Sequence, residues 1–155
     1  MDMREISSRL TSARLKVTPQ RIAIYADLLG RDDHPSPESL YQTVKDELPR
    51  LSLATVYKTL DSLEEAGLIS QVAINNETKR YDANLDSHHH LICTECRNII
   101  DFVDDSLSSV SLDNAGYGFQ PKEVKIQILG TCVACQNAAQ VEMSGAVDVP
   151  TTATK

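Results

Sequence analysis

Two pairs of closely spaced cysteines constrain this chain more than any other feature of its sequence. Cys93 and Cys96 lie in the segment CTEC, Cys132 and Cys135 lie in CVAC, and 35 residues separate the pairs. Two such pairs predict a structural zinc site, because each presents two thiolates along one edge of a tetrahedron. The alternatives are two redox-active pairs or buried free thiols. If zinc is bound, it joins distant parts of one domain.

Length and charge limit the classes of protein to be considered. The 155 residues suit one medium domain or two small ones. The net charge of -7 is uneven, with -2 on residues 1–82 and -5 on residues 83–155. An acidic second half suits cation binding, and a nearly neutral first half can still present a basic face to nucleic acid. No apolar segment has the length of a membrane span or the character of a signal peptide, so we expect a cytoplasmic protein.

The first half predicts a helical domain that ends in a β-hairpin. Hydrophobic spacing predicts helices over residues 3–13, 19–29, 37–48 and 53–66. Thr18, Ser36 and Ser52 are the expected N-caps, and Gly67 ends the last helix. Strands are expected over 68–74 and 79–83. Helices followed by a two-stranded ribbon indicate a winged helix-turn-helix domain over residues 1–82.

The second half changes character after Asp82. It predicts a small mixed α/β domain over residues 83–140, so the whole chain is expected to have an α+β fold. The expected strands cover 89–96, 98–103 and 124–132, and the expected helices cover 105–116 and 132–141. Residues 141–155 have no periodicity and many small polar side chains, which is typical of a disordered tail.

The helix over 53–66 has the features of a DNA-reading helix. One face is an apolar stripe of Leu53, Val56, Leu60 and Leu63. The opposite face carries Thr55, Tyr57 and Lys58, which can contact thymine methyl groups, guanine or phosphate. The full set of candidate DNA contacts is Arg14, Lys16, Arg21, Ser52, Thr55, Tyr57, Lys58, Lys79 and Arg80. The alternative is an ordinary helical domain with a solvated polar face.

Histidines and aspartates indicate a second metal site with nitrogen and oxygen donors. The candidate ligands are His34, Asp82, His88, His90 and Asp101. In a strand, alternation puts His88 and His90 on one face and His89 on the other. Such donors suit Fe(II), Mn(II) or Zn(II) rather than calcium or magnesium. A surface histidine in a loop and a weakly metal-binding HHH run are the alternatives.

Several segments together resemble the ferric uptake regulator family over about residues 4–138. They are LKVTPQRIAIYADLL, HPSPESLY, LSLATVYKTLDSLEEAGLI, KRYD, HHHLICTEC, IIDF and CVAC. The resemblance implies a homodimeric, metal-dependent repressor, not an enzyme, that binds a palindromic double-stranded DNA operator. It implies that the second domain mediates dimerisation, that zinc binds the four cysteines, and that Tyr57 contacts bases. It also implies a regulatory Fe(II) or Mn(II) at the hinge, bound by the five nitrogen and oxygen ligands.

Within the family, the chain is most similar to the peroxide-responsive branch. Iron-responsive members usually have Glu where this chain has Asp101, whereas peroxide sensors usually have Asp. In that branch His34 and His88 are the positions that become oxidised. His89 and the Lys58-Thr59 pair depart from the peroxide-sensor pattern. Iron, manganese or zinc regulation without peroxide sensing, a metalloenzyme at His34, Asp82 and His88, and a cysteine redox switch are the alternatives.

Overall fold

The structure is a computed structural model that describes residues 2–73, 79–108 and 124–144. The chain divides into two compact units, Met1–Ser87 and His88–Lys155. The sequence placed this boundary after Asp82. Ala83, the next residue, packs against the hydrophobic core of the first unit.

Four helices form most of the first unit, and side-chain caps define where three of them begin. They are α1 (Met3–Ser12), α2 (Pro19–Leu29), α3 (Pro37–Val44) and α4 (Leu53–Glu65). The predicted caps Thr18, Ser36 and Ser52 each accept a hydrogen bond from the backbone amide three residues later. These caps satisfy amide groups that have no partner within the helix.

The helix ends also follow local chemistry. Gly67 adopts φ +67, and the Leu68 amide donates to the Leu63 carbonyl at 2.9 Å, which terminates α4 as predicted. Helix α3 ends at Val44, earlier than the predicted Leu48. Residues 45–47 form a turn, in which the Leu48 amide donates to the Val44 carbonyl at 3.2 Å, and Pro49 disfavours helical geometry at Leu48.

The core of the first unit lies between the helices and a hairpin, which we call the wing. The wing comprises β1 (Ser70–Ala73) and β2 (Lys79–Asp82), paired antiparallel. Tyr81 is fully buried and joins β2 to the core. Of the predicted stripe on α4, Val56, Leu60 and Leu63 are buried, while Leu53 is half-buried. The helices and wing together form the predicted winged-helix arrangement.

The second unit contains a three-stranded sheet. Its strands are β3 (His89–Cys93), β4 (Ile99–Phe102) and β5 (Gln127–Gly130), and its helices are α5 (Asp105–Ser108) and α6 (Val133–Ser144). The strand order is β4-β3-β5, with β3 antiparallel to β4 and parallel to β5. All three strands are shorter than predicted; β3 ends at Cys93 because residues 94–96 form a turn.

Two predictions about the second unit concern segment ends. The helix expected over 105–116 is present as far as Ser108, and residues 109–116 lie outside the described part of the chain. Helix α6 continues to Ser144, so residues 141–144 are helical rather than part of a tail. Residues 145–155 lie outside the described residues.

Candidate metal centres and nucleic-acid interface

The four cysteines form one cluster, which we call the cysteine cluster. The Sγ atoms of Cys93 and Cys135 are 3.9 Å apart, and those of Cys96 and Cys132 are 3.7 Å apart. All four Sγ atoms lie within 4.8 Å of one another. A tetrahedron with zinc–sulfur bonds of about 2.3 Å has edges of about 3.8 Å. The cluster therefore has the dimensions of a closed zinc site.

The sheet brings the two cysteine pairs together. Cys93 is the last residue of β3 and lies opposite Gly130 of the parallel strand β5. Chain continuity then places Cys132 beside it, and the Cys132 amide donates to Cys93 Sγ at 3.4 Å. On the other side, Arg97 adopts φ +63 and closes the turn that contains Cys96. Parallel pairing thus joins ligands that are distant in sequence.

The electrostatics of the cysteine cluster also favour a cation. Hydrogen bonds from the backbone amides of Cys132 and Cys96 lower the pKa of the Cys93 thiol to about 6. In contrast, the neighbouring Cys132 and Cys96 thiols raise the pKa of Cys135 to about 12. Four thiolates at this spacing repel one another, and a bound divalent cation supplies the positive charge that stabilises them together.

In the second unit, two histidines and an aspartate converge. His88 Nε2 and His90 Nε2 are 3.0 Å apart, and Asp101 Oδ1 lies 3.8 Å and 3.6 Å from them. The pairing of β3 with β4 places His90 directly opposite Asp101. His89 points to the other side, where it is fully buried and its ring centroid is 5.5 Å from that of Phe102. The side-chain alternation predicted from the sequence is present.

In the first unit, His34 lies beside Asp82. His34 Nε2 is 3.7 Å from Asp82 Oδ2, and both side chains are buried. His34 belongs to the loop Arg31–Pro35, which we call the His34 loop. The backbone of His34 adopts φ +49, a conformation uncommon for residues other than glycine. One imidazole nitrogen and one carboxylate are thereby held together away from solvent.

Arg80 has a position that the sequence did not predict. Its guanidinium donates hydrogen bonds to the backbone carbonyls of His34 and Asp33, the latter at 3.2 Å. The sequence assigned Arg80 to DNA contact. The signal that could have indicated this position is its spacing, because Arg80 and Asp82 share one face of β2.

The other candidate DNA contacts differ in exposure. Ser52, Lys58, Arg14, Lys16 and Lys79 are exposed, whereas Thr55, Tyr57 and Arg21 are half-buried. Ser52 and Thr55 are hydrogen-bonded to each other at the start of α4, and three more of these residues have partners elsewhere in the protein. The Arg21 guanidinium donates to the Lys16 carbonyl, Lys79 Nζ is 3.9 Å from Asp61 Oδ1, and the Tyr57 hydroxyl contacts Glu38.

Comparison with known proteins identifies the family to which these sites belong. Residues 12–129 match the model of the ferric uptake regulator family. The chain belongs to the ferric uptake regulator family. It is therefore a metal-responsive regulator of transcription with the mixed helix and sheet fold of that family. No helix in the described ranges is long and apolar enough to cross a membrane.

Individual relatives cover most of the chain. The peroxide-responsive repressor PerR of Staphylococcus aureus strain Mu50 is 29% identical over 137 residues, which are 88% of this chain and 93% of that protein. The ferric uptake regulator from Francisella tularensis with iron has a TM-score of 0.66 and 26% identity, covering 79% of this chain and 95% of that one. That of Pseudomonas aeruginosa with manganese has a TM-score of 0.68 and 25% identity, covering 82% and 97%.

Proposed function

We propose that this family member is a DNA-binding repressor that senses peroxide through Fe(II)-catalysed oxidation of its ligand histidines. The observation that carries the proposal is a set of nitrogen and oxygen donors separate from the cysteine cluster. His88, His90 and Asp101 converge in the second unit, and His34 lies beside Asp82 in the first. The two donor types suit two metals with different roles.

The chemistry of each donor set supports one metal assignment. The cysteine cluster offers four thiolates and no open position, as in structural zinc sites. The histidines and aspartates suit Fe(II) or Mn(II), which are the proposed corepressors. The Francisella tularensis relative with iron and the Pseudomonas aeruginosa relative with manganese support these two metals.

Metal binding is proposed to control DNA affinity by joining the two donor groups. His34 and Asp82 belong to the unit that contains α4, and His88, His90 and Asp101 belong to the unit that contains the cysteine cluster. A cation that takes ligands from both units stabilises the arrangement in which all of them reach it. If that arrangement is the one that fits DNA, metal occupancy determines repression.

Helix α4 is the proposed recognition helix. Ser52 and Thr55 lie at its N-terminal turn, Tyr57 and Lys58 follow, and the apolar stripe on the opposite face anchors it to the core. Residues at the N-terminal part of such a helix contact base edges in the major groove. The proposed phosphate contacts are Arg14, Lys16, Arg21 and Lys79.

An apolar stripe on the sheet of the second unit supports a homodimer. Leu91 of β3 pairs with Ile100 of β4 and Ile128 of β5, so the three side chains lie side by side. They are 37%, 46% and 44% exposed. A second copy of the chain would cover such a patch. A two-fold dimer presents two recognition helices, and the proposed operator is therefore palindromic.

The proposed peroxide reaction is a two-electron oxidation of an imidazole. One oxygen atom of hydrogen peroxide is inserted into a carbon–hydrogen bond of His34 or His88, and the other leaves as water. The imidazole is oxidised by two electrons and the peroxide is reduced by two. Held by these donors, Fe(II) would supply the redox chemistry that cleaves the O–O bond, with no net change in its own oxidation state over the two-electron reaction. The altered ring no longer offers its former ligand geometry, so metal affinity falls and repression ends.

Operator binding with each metal, with and without peroxide, tests this function. A palindromic DNA can be selected from a random library with the Mn(II)-loaded protein. Both metals are expected to promote binding, and peroxide is expected to abolish it only for the Fe(II) form. Tandem mass spectrometry should locate one added oxygen atom on His34 or His88. His89, which faces away from His88 and His90, is the internal control and should stay unmodified.

The same experiment separates the other candidate functions. DNA binding with both metals but no peroxide effect would indicate a plain iron or manganese regulator. DNA binding that is independent of added metal would contradict metal control by the nitrogen and oxygen ligands. Absence of oxygen addition in the Fe(II) form would contradict the peroxide reaction.

A further inference from the structure

Strand β2 of the wing carries the candidate metal ligand Asp82. It also carries Arg80, which contacts the loop that contains a second candidate ligand, His34. Asp82 of β2 lies with its Oδ2 atom 3.7 Å from His34 Nε2. Arg80, two residues earlier on the same face, donates to the carbonyls of His34 and Asp33. The guanidinium thereby contacts two consecutive peptide groups of the His34 loop.

The His34 loop requires such support. His34 adopts φ +49 and precedes Pro35, which further restricts its backbone. Without external contacts, a residue other than glycine in this conformation has a lower-energy alternative. A second contact comes from the same strand, because the Tyr81 amide donates to the Pro35 carbonyl at 3.1 Å. Strand β2 therefore fixes the backbone on both sides of the His34 side chain.

We propose that Arg80 is a positioning residue that presets His34 for the regulatory metal. The proposal rests on the proposed function of His34 as a ligand. By holding the two carbonyls, Arg80 keeps the imidazole beside Asp82 before metal arrives. Metal binding then needs less ordering of the loop, so the metal-binding affinity is higher.

Arginine has the shape that this contact requires. Its planar guanidinium presents several N–H donors in a fixed geometry, so one side chain can contact two adjacent carbonyls. A lysine has one ammonium group on a flexible chain, and it does not reproduce the fixed geometry of the two hydrogen bonds to these carbonyls. Arg50 is an exposed arginine of the same unit and has no proposed role in DNA or metal binding, so Arg50→Gln is the charge-matched control.

The test compares Arg80→Gln, Arg80→Lys and Arg50→Gln with the parent chain as full-length, zinc-loaded protein. Mn(II) affinity is measured by the electron paramagnetic resonance signal of free Mn(II). Amide hydrogen exchange of Asp33, His34 and Ser36 is followed without Mn(II), and operator binding is measured at saturating Mn(II). Zinc content and thermal melting establish that each variant is folded.

Arg80→Gln is expected to weaken Mn(II) binding by about 10-fold, the size of effect typical of losing a residue that orients a ligand. Arg80→Lys should weaken Mn(II) binding by a smaller factor, and Arg50→Gln should leave it unchanged. Exchange of the loop amides should be faster in Arg80→Gln, and operator binding at saturating Mn(II) should stay within about threefold of the parent.

Three results would overturn the proposal. The first is parental Mn(II) affinity in Arg80→Gln. The second is parental Mn(II) affinity with weaker operator binding at saturation, which would make Arg80 a DNA contact. If Arg80→Gln does not fold, parental Mn(II) affinity in Arg80→Lys is the third. Failure of the proposed function itself is recognised separately, because His34→Ala would then leave Mn(II) affinity unchanged.

Discussion

The Tyr57 hydroxyl of α4 donates a hydrogen bond to the Glu38 carboxylate of α3 at 2.6 Å. The bond lowers the pKa of Glu38 and raises that of Tyr57, because it stabilises the ionised carboxylate and the protonated phenol. It joins the proposed recognition helix to the helix before it. The contact fixes the direction of the aromatic ring that the family resemblance assigns to base contact.

This pair predicts a pH-dependent contribution to stability. Since the folded-state pKa of Glu38 is lowered, its contribution is complete above the unfolded pKa and is lost as pH falls through the folded pKa. Glu38→Gln should therefore melt below the parent at about pH 6, and the difference should shrink towards about pH 3. Glu47→Gln, which changes an exposed glutamate, is the control. A difference in melting temperature that does not vary with pH would contradict this origin.

Ser52 gives a prediction that separates a helix cap from a DNA contact. Its Oγ accepts from the Thr55 amide at 3.2 Å, so Ser52→Ala should destabilise the first unit by about 1 kcal/mol. Ser52→Asp retains a cap acceptor and should keep most of the stability. It should still weaken operator binding, because a carboxylate near the phosphates repels them. Urea unfolding and operator titration measure the two effects, and equal loss of stability in both variants would exclude the cap role.

Residue preferences at helix ends and the spacing of apolar residues predicted much of the fold. Thr18, Ser36 and Ser52 were identified as caps from residue type and position, and Gly67 from its place after the apolar stripe. The ends of α3 and α6 were less predictable. Helix ends depend on competing local preferences, and the segment after Val141 has no apolar periodicity to mark a helix.

The candidate sites were predictable where they depend on the spacing of metal-binding residues or on the alternation of side chains along a strand. The cysteine spacing predicted the cluster, and strand alternation separated His88 and His90 from His89. The contacts of Arg80 and Glu38 were not predicted. Each depends on a contact with a residue far away in sequence. The spacing of Arg80 and Asp82 indicates only that they share a face of β2, and not which loop that face contacts.

All four cysteines of the cysteine cluster are expected to be necessary for tight zinc binding. Cys96→Ser removes a thiolate whose Sγ is 3.7 Å from that of Cys132, and leaves a three-thiolate site. Zinc affinity should fall by more than the roughly 10- to 100-fold typical of losing an outer-shell partner. The second unit should melt at lower temperature, since zinc binding contributes roughly 10–16 kcal/mol in comparable sites. Thr94→Ser in the same turn is the control, and metal analysis showing unchanged zinc content in Cys96→Ser under chelator challenge would contradict the assignment.

Asp101 should affect the regulatory metal without affecting zinc. It is the carboxylate within 4 Å of both imidazoles, with Oδ1 3.6 Å from His90 Nε2 and 3.8 Å from His88 Nε2. Asp101→Asn removes the negative charge that offsets the cation and leaves only a weaker amide oxygen. Mn(II) affinity should fall at least about 10-fold, while zinc content stays at the parental value. Asp105→Asn, with the same charge change on α5, should bind Mn(II) like the parent. Calorimetric titration measures both, and equal Mn(II) affinity in the two variants would remove Asp101 from the site.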